Sequence, residues 1–292
     1  MAASSQTVAG MTKRREVETH LHTLEEIRGI MAAMKNLSYM ETRKLSRFIN
    51  AQRLAVATIE QAAADFLRGY PDLAPGAPGE TMLLLLVGSE RGFCGDYNER
   101  LLAHLEVHCR KMACRPRLLV IGSKLAERLE ADRRVLQVLP GAEVAEEVPK
   151  SLQQVVETLD ELEARLGPVQ VTALYHEGHD LRATALLPPF QALPPPPPQI
   201  QGPPFLYLQP ETFVTELTDQ YLFAVLHALF YSALLAEHQR RIQHLEGALQ
   251  RLDEECDKLK IRRNALRQEE ITEEIEQILL SAQAMAAELE DF

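Results

Sequence analysis

The stretch Ile242-Gln-His-Leu245-Glu-Gly-Ala-Leu249-Gln-Arg-Leu252-Asp-Glu-Glu-Cys256-Asp-Lys-Leu259 steps its apolar residues by three and four without a break. Residues at that spacing share one stripe of an α-helix, and a narrow stripe held over several turns is the seam of a coiled coil. Arg263 then takes a seam position and Leu266 follows. After a one-residue slip of phase, Ile271, Ile275, Ile278, Ala282, Met285 and Leu289 resume the alternation. From Glu211 to the end there is no proline, and Gly247 is the one glycine. The pattern predicts a C-terminal helix over 210–292, on the order of 115 Å long at 1.5 Å per residue. Its opening part, with Leu222, Val225, Leu226, Leu229 and Phe230, is wider in its apolar surface and is expected to pack against other protein.

The other end of the chain reads in a similar way. Between Lys13 and Arg68 there is no proline and one glycine, Gly29. One heptad position carries Val17, Leu24, Met31, Ser38, Leu45, Gln52, Ile59 and Phe66. A second, three residues on, carries His20, Ile27, Met34, Glu41, Phe48, Ala55 and Ala62. A helix over 13–70, about 85 Å long, needs a partner, because few isolated helices of that length are stable. Residues 13–69 hold 10 basic and 7 acidic side chains, whereas 211–292 hold 8 and 17. Opposite net signs suit two helices wound together, although exposed pairs add little each.

Composition agrees with this picture. The 292 residues include no Trp, and aromatics make up 5 %, which is thin for one broad core but natural for a Leu/Ile/Met seam. The formal net charge of -11 disfavours a nucleic-acid partner, since phosphate contacts want a basic surface. No run approaches the roughly 18 uncharged apolar residues of a membrane span, and the N-terminus lacks the apolar region of a secretory signal. Cys94, Cys109, Cys114 and Cys256 show no paired spacing and read as reduced thiols.

Between the helices lies an α/β pattern. Met82–Val87 is a continuous apolar run of strand length, the mark of a strand buried on both faces. The loop Gly88-Ser-Glu-Arg-Gly-Phe-Cys-Gly95 follows it. A helix is expected over 97–114, a strand over 117–121, a helix over 123–131, a strand over 135–139 and an amphipathic helix over 149–166. Strands over 169–175 and 181–187 then flank a turn at His176–Asp180. Strand–helix alternation argues a mostly parallel sheet covered by helices. Pro188, Pro189, Pro194–Pro198, Pro203 and Pro204 make a stiff connector. The fold class expected is therefore α/β, with a Rossmann-like domain inserted between two long terminal helices that form an antiparallel coiled coil. The expected divisions are a flexible extension over 1–12, an N-terminal helix over 13–70, a globular domain over 80–188, a connector over 189–209 and a C-terminal helix over 210–292.

Chemistry is sparse. The loop Gly88–Gly95 sits where backbone amides can cradle phosphate. It lacks the GK[ST] of a P-loop and the GxGxxG spacing, so a structural turn is the favoured reading and nucleotide binding the lesser one. His104 and His108 lie one turn apart, but Cys109 is about 100° round the helix from His108, a poor start for tetrahedral zinc. His176-Glu-Gly-His179 is not HExxH. No catalytic residue, metal or cofactor is expected. Arg263 on the seam, with Arg267 and Gln268 beside it, reads either as a register-fixing polar break or as a contact surface for another protein.

Four segments carry a resemblance to a known family. Ile30-Met-Ala-Ala-Met34-Lys35 is similar to ITKAMK, Ser89-Glu-Arg-Gly-Phe-Cys-Gly-Asp-Tyr-Asn98 to SDRGLCGxxN, Tyr207-Leu-Gln-Pro210 to YEP, and Asn264-Ala-Leu-Arg267-Gln268-Glu-Glu-Ile271-Thr272-Glu-Glu-Ile275 to NxxRQxxITxEI. These motifs resemble the gamma subunit of F-type ATP synthases, the central rotor shaft. Departures occur at Asn36–Glu41, at His244–Ala248 and at Tyr175-His176, although Glu237-His238 is kept, and they mark a divergent member. The resemblance implies a non-catalytic subunit that sits inside a ring of alpha and beta subunits and rotates with the membrane c-ring. It implies that Arg267, Gln268, Thr272, Met34 and Lys35 meet a beta subunit. Arg91 and Tyr207 then belong to the foot that meets the epsilon subunit and the c-ring. The expected location is peripheral, on the cytoplasmic face of the inner (plasma) membrane. The alternatives are a nucleotide-binding α/β enzyme dimerised by coiled-coil arms, and a structural coiled-coil tether.

Overall fold

A computed structural model describes residues 2–76, 79–112, 115–191, 193 and 205–290. Cys114 and the proline run at 194–198 lie outside the described residues. In chain order the elements are α1 (Ala2–Gly69), β1 (Thr81–Val87), α2 (Tyr97–Met112), β2 (Arg117–Ile121), α3 (Ser123–Arg128), β3 (Val135–Leu139), α4 (Val148–Leu166), β4 (Val169–Glu177), β5 (Asp180–Leu187) and α5 (Pro210–Glu290). The chain divides into two compact units. One joins Met1–Asn36 with Leu245–Phe292, and the other is Leu37–His244.

The larger unit is a five-stranded sheet in the order β3-β2-β1-β4-β5. β1, β2, β3 and β4 are mutually parallel, and β5 runs antiparallel to β4 at the edge. Alternation along the central strands explains the unbroken apolar run. Leu83, Leu85 and Val87 face one layer, with Leu119, Ile121, Val171 and Ala173 beside them. Leu84 and Leu86 face the other, with Leu118, Val120 and Leu174. Both faces are dry, so neither parity of residue can be polar.

The first layer is built by α4 and by stretches of α1 and α5. α4 buries Val148, Leu152, Val155, Leu159 and Leu162, stepping by four and three. Pro149 opens that helix and Gly167, at φ +79, closes it, a division of labour that follows from proline's fixed φ and glycine's freedom at positive φ. Leu45, Ile49 and Ala63 of α1 join this core, as do Tyr221, Val225, Leu226, Leu229 and Phe230 of α5. One window of α5 is long and apolar enough to cross a membrane, contrary to the expectation from sequence, but 78 % of it is buried within the protein. It is a core helix. α2 and α3 cover the opposite layer through Leu101, Leu105 and Leu125, joined by Leu129 just past the end of α3.

Other details differ from the sequence pattern. β4 extends to Glu177 and β5 begins at Asp180, so the expected turn shrinks to Gly178–His179, with Gly178 at φ +61. α3 ends at Arg128 rather than at 131. α1 is already helical at Ala2, within the segment read as an extension.

In the smaller unit, Val17 and Leu21 pack with Cys256 and Leu259. Met31 packs with Leu245 and Leu249. Arg14 Nε lies 2.8 Å from Glu270, Arg28 pairs with Asp253, and Lys35 Nζ lies 3.6 Å from Glu246. Rising numbers on α1 meet falling numbers on α5. The second heptad row is displaced by one residue: Leu21 is buried, while His20 and Ile27 are exposed. A step of four rather than three brings the side chain back onto the stripe started by Val17.

Candidate functional site

Arg267, Gln268 and Thr272 stand within two turns of α5, and all three are exposed or nearly so. The Thr272 hydroxyl donates back to the Gln268 carbonyl at 2.9 Å. This turns the hydroxyl along the helix, a common habit of Thr within helices. Glu270 points the other way, is buried, and is ion-paired with Arg14. The three polar residues thus share a level with the start of the described α1 side chains. Ile271, Ile275 and Ile278, expected as seam, are 46, 52 and 66 % exposed. They form an uncovered apolar surface beside Thr272.

Met34 and Lys35 lie elsewhere in the same unit. Met34 is half-buried against Met31, Leu245 and Leu249, and Lys35 reaches Glu246. Level with residues 245–249, they are about 20 residues of α5 away from Arg267, or roughly 30 Å along the helix. The expected beta-facing residues therefore form two separate patches. Arg91, in the larger unit, is exposed and ion-paired with Glu143. Tyr207 is fully exposed, and Phe205 near it is 97 % exposed.

The loop Gly88–Gly95 follows β1, the middle strand of the sheet. The polar groups of Gly88, Ser89 and Glu90 are committed to protein partners. Gly88 N donates to Ile121 O at 2.9 Å, and Ser89 N to Asn98 Oδ1 at 3.1 Å. Asn98 Nδ2 returns a bond to Ser89 Oγ at 2.8 Å. The Glu90 carboxylate accepts from Ser123 N, Ser123 Oγ and Gly141 N at 2.9, 2.6 and 2.7 Å. The first half of the loop is thus an internal brace between β1, α2 and α3. An apolar groove of about 590 Å³ between α4, β5 and α5 is lined by Glu157, Asp160, Glu163 and Asp219 and by no basic residue. Four carboxylates repel a polyphosphate.

Against this loop lies a group whose joining sequence reasoning missed: Glu237-His238 and Tyr97 fall in segments noted for their resemblance, but Arg241 lies in none of them and nothing in them brings all four to the loop. Glu237 and Arg241, one turn apart on α5, form an ion pair with 5 and 6 % of their side chains exposed. Arg241 Nε donates to Gly92 O at 3.1 Å and Nη2 to Arg91 O at 3.3 Å. The Tyr97 hydroxyl, fully buried, donates to Ala233 O at 3.0 Å. His238 Nε2 lies 3.2 Å from Glu143 O, and His176 Nε2 lies 2.9 Å from Tyr97 O with the two rings stacked at 4.0 Å. Burial pushes the Glu237 carboxyl up to about 7 against the pull of Arg241. Burial also holds His176 and His238 down to about 4, so both are neutral at pH 7. The available signal was a Glu–Arg pair at i, i+4 closing the apolar stretch 221–236.

A mostly parallel sheet domain set in sequence between two long terminal helices, with an exposed polar patch on α5, places the chain in the class of α/β domains carried between long helical ends. The profile of the ATP synthase family matches residues 13–285, and the chain belongs to that family. Among its relatives, the ATP synthase gamma chain of Moorella thermoacetica is 21 % identical, aligned over 94 % of this chain and 100 % of that one. The gamma chain of Clostridium beijerinckii is 23 % identical over 92 % and 97 %. A chain of the Euglena gracilis mitochondrial ATP synthase, solved with OSCP, F1 and c-ring, superposes with a TM-score of 0.61 over 94 % of this chain and 95 % of that one, at 15 % identity. A chain of the Tetrahymena thermophila central stalk and c-ring gives 0.57 over 75 % and 99 %.

Proposed function

We propose that this chain is the central-stalk rotor subunit of an F-type ATP synthase, transmitting rotation between a membrane c-ring and a catalytic hexamer of alpha and beta subunits. The observation that carries the reading is coverage. The family match takes in α1, the sheet domain and α5 together, and gamma chains align from end to end. By itself the subunit breaks no bond. Its terminal helices pair as an antiparallel coiled coil, a reading supported by the clusters around Leu21 and Met31 and by three ion pairs in descending register. Residues 80–188 form the foot domain and 189–209 the connector.

The coupling follows from asymmetry. A shaft inside a three-fold ring presents a different face to each beta subunit. Contacts made to one and not to the others shift the nucleotide-site equilibrium of that one alone, by as much as the contact energies differ. About 1.4 kcal/mol of difference is a tenfold shift. Arg267, Gln268 and Thr272 supply one such face, and Met34 with Lys35 a second level. The exposed Arg91 and Tyr207 suit the foot, where epsilon and the c-ring dock. The complex is then peripheral to the cytoplasmic face of the inner membrane.

Co-expression with the alpha and beta subunits of the same source tests this. The expected result is a co-purifying complex that hydrolyses ATP, with no hydrolysis by the chain alone. A chain that never co-purifies with them overturns the reading.

A further inference from the structure

The buried charges beside the loop Gly88–Gly95 have no role in the rotor reading so far. They sit where α5 meets that loop through directional bonds. Elsewhere in the larger unit α5 touches the sheet domain through Tyr221, Val225, Leu226, Leu229 and Phe230, an apolar contact. Apolar contact is non-directional and changes little when a helix turns by a few degrees. Hydrogen bonds weaken steeply with angle. Among the described residues, the directional bonds that fix the rotational setting of α5 include Tyr97 Oη to Ala233 O, Arg241 to the carbonyls of Arg91 and Gly92, the backbone of Glu90 and Arg91 to the Glu237 carboxylate, His238 to Glu143 O, and Arg240 to Asp96 at 3.4 Å.

The choice of residues is informative. A buried ion pair is seldom a stability device, because desolvation offsets the attraction and an apolar pair of equal volume often does as well. A guanidinium does what no apolar side chain can. It forks to one carboxylate and two carbonyls at once, in a rigid plane. Glu237 holds that plane from its own helix, one turn back, and so sets the direction in which Arg241 points.

We propose that Glu237 and Arg241 are positioning residues that act as a torsional clamp, locking α5 to the loop between β1 and α2 so that torque on the sheet domain enters the helix without slip. The proposal rests on the rotor reading. Torque applied to the domain is resisted by the clamp bonds in parallel. Without them the apolar contact yields, and a fraction of each rotation is lost as twist of the domain about α5.

The test uses the whole complex in sealed vesicles, with ATP hydrolysis and ion uptake measured together. Arg241→Met removes the fork and keeps the volume. Arg241→Lys keeps the charge but reaches fewer acceptors. Leu105→Ala, on the α2 side of the sheet, weakens the domain without touching α5. The expected result is hydrolysis near wild type in all three. Ions moved per ATP fall about threefold or more for Arg241→Met and by less for Arg241→Lys, and are unchanged for Leu105→Ala. A ratio equal to wild type in Arg241→Met overturns the clamp. So does an equal fall in Leu105→Ala, which would make the loss one of general stability. If Arg241→Met does not assemble, Arg241→Lys decides by the same ratio. Failure of the rotor reading looks different: the wild-type chain then gives no pumping complex to compare.

Discussion

His176 offers a direct check on the interior of the domain. It stacks on Tyr97, hydrogen-bonds the Tyr97 carbonyl and is 1 % exposed. Burial lowers its pKa from 6.5 to about 4. Between those values the unfolded chain binds a proton that the folded chain does not. Stability therefore rises with pH across this window and is lost on acidification. Moving from pH 7.5 to 5.0 removes about 2 kcal/mol through this one group, out of about 3 kcal/mol available once both states are protonated. His238 adds in the same direction, and Glu237 opposes it, because a carboxyl lifted to about 7 is relieved by acid. A comparison with His176→Gln cancels both. Glutamine keeps an N–H near Tyr97 O but does not titrate. Urea unfolding of the full chain at 25 °C, followed through tyrosine since there is no Trp, is expected to show the wild type losing about 2 kcal/mol more than the variant over that pH range. NMR of the His176 ring should show no titration above pH 5. A ring that titrates near 6.5, or parallel pH profiles of the two proteins, would refute the reasoning.

Other outcomes follow from the same geometry. Leu85→Ala, at a fully buried position of β1, should cost about 2–5 kcal/mol in chemical denaturation. Gly122→Ala should cost about 2 kcal/mol or more, since the glycine sits at φ +104 and an added Cβ would lie 2.7 Å from Ser89 O and 2.8 Å from Gly88 O; an unchanged midpoint would contradict this. Arg267→Ala with Gln268→Ala should leave stability within about 0.5 kcal/mol, both being exposed, while weakening assembly or hydrolysis of the complex. Unchanged rates in the complex would remove these two residues from the mechanism.

The strands were legible because burial on both faces leaves an unmistakable run, Met82–Val87, and because α4 carries a clean period with Pro149 and Gly167 at its ends. The seam from Leu245 to Leu259 was legible for the same reason of period. The sequence pattern failed where two geometries share one spacing. Ile271, Ile275 and Ile278 keep the step of a seam, yet they are exposed, because period reports a stripe and not what covers it. His176 failed through its neighbours: Glu-Gly-His looks like a turn, but the pairing of β4 with β5 draws His176 into the ladder opposite Leu181. Arg267 and Gln268, both exposed, were marked by Arg263, which stands beside them on the seam. The clamp at Glu237 and Arg241 was not, because the acceptors of Arg241 are backbone carbonyls 149 and 150 residues earlier, and backbone leaves no trace in a pattern of side chains.

The layout of the larger core also sets a timetable. Leu45 and Ile49 leave the ribosome early, whereas Val225 and Leu229, which complete the same core, leave 180 residues later. Contacts that distant in sequence close slowly, since loop entropy is spent before any contact is gained. Until α5 emerges, the sheet layer formed by Leu83, Leu85, Leu119 and Val171 has only α4 and α1 to cover it. The nascent chain therefore carries exposed apolar strands through much of its synthesis, at about 5–20 residues per second. A chaperone that shields such surface has a defined window of action here, closing when Leu234, the last residue of that core, has cleared the exit tunnel.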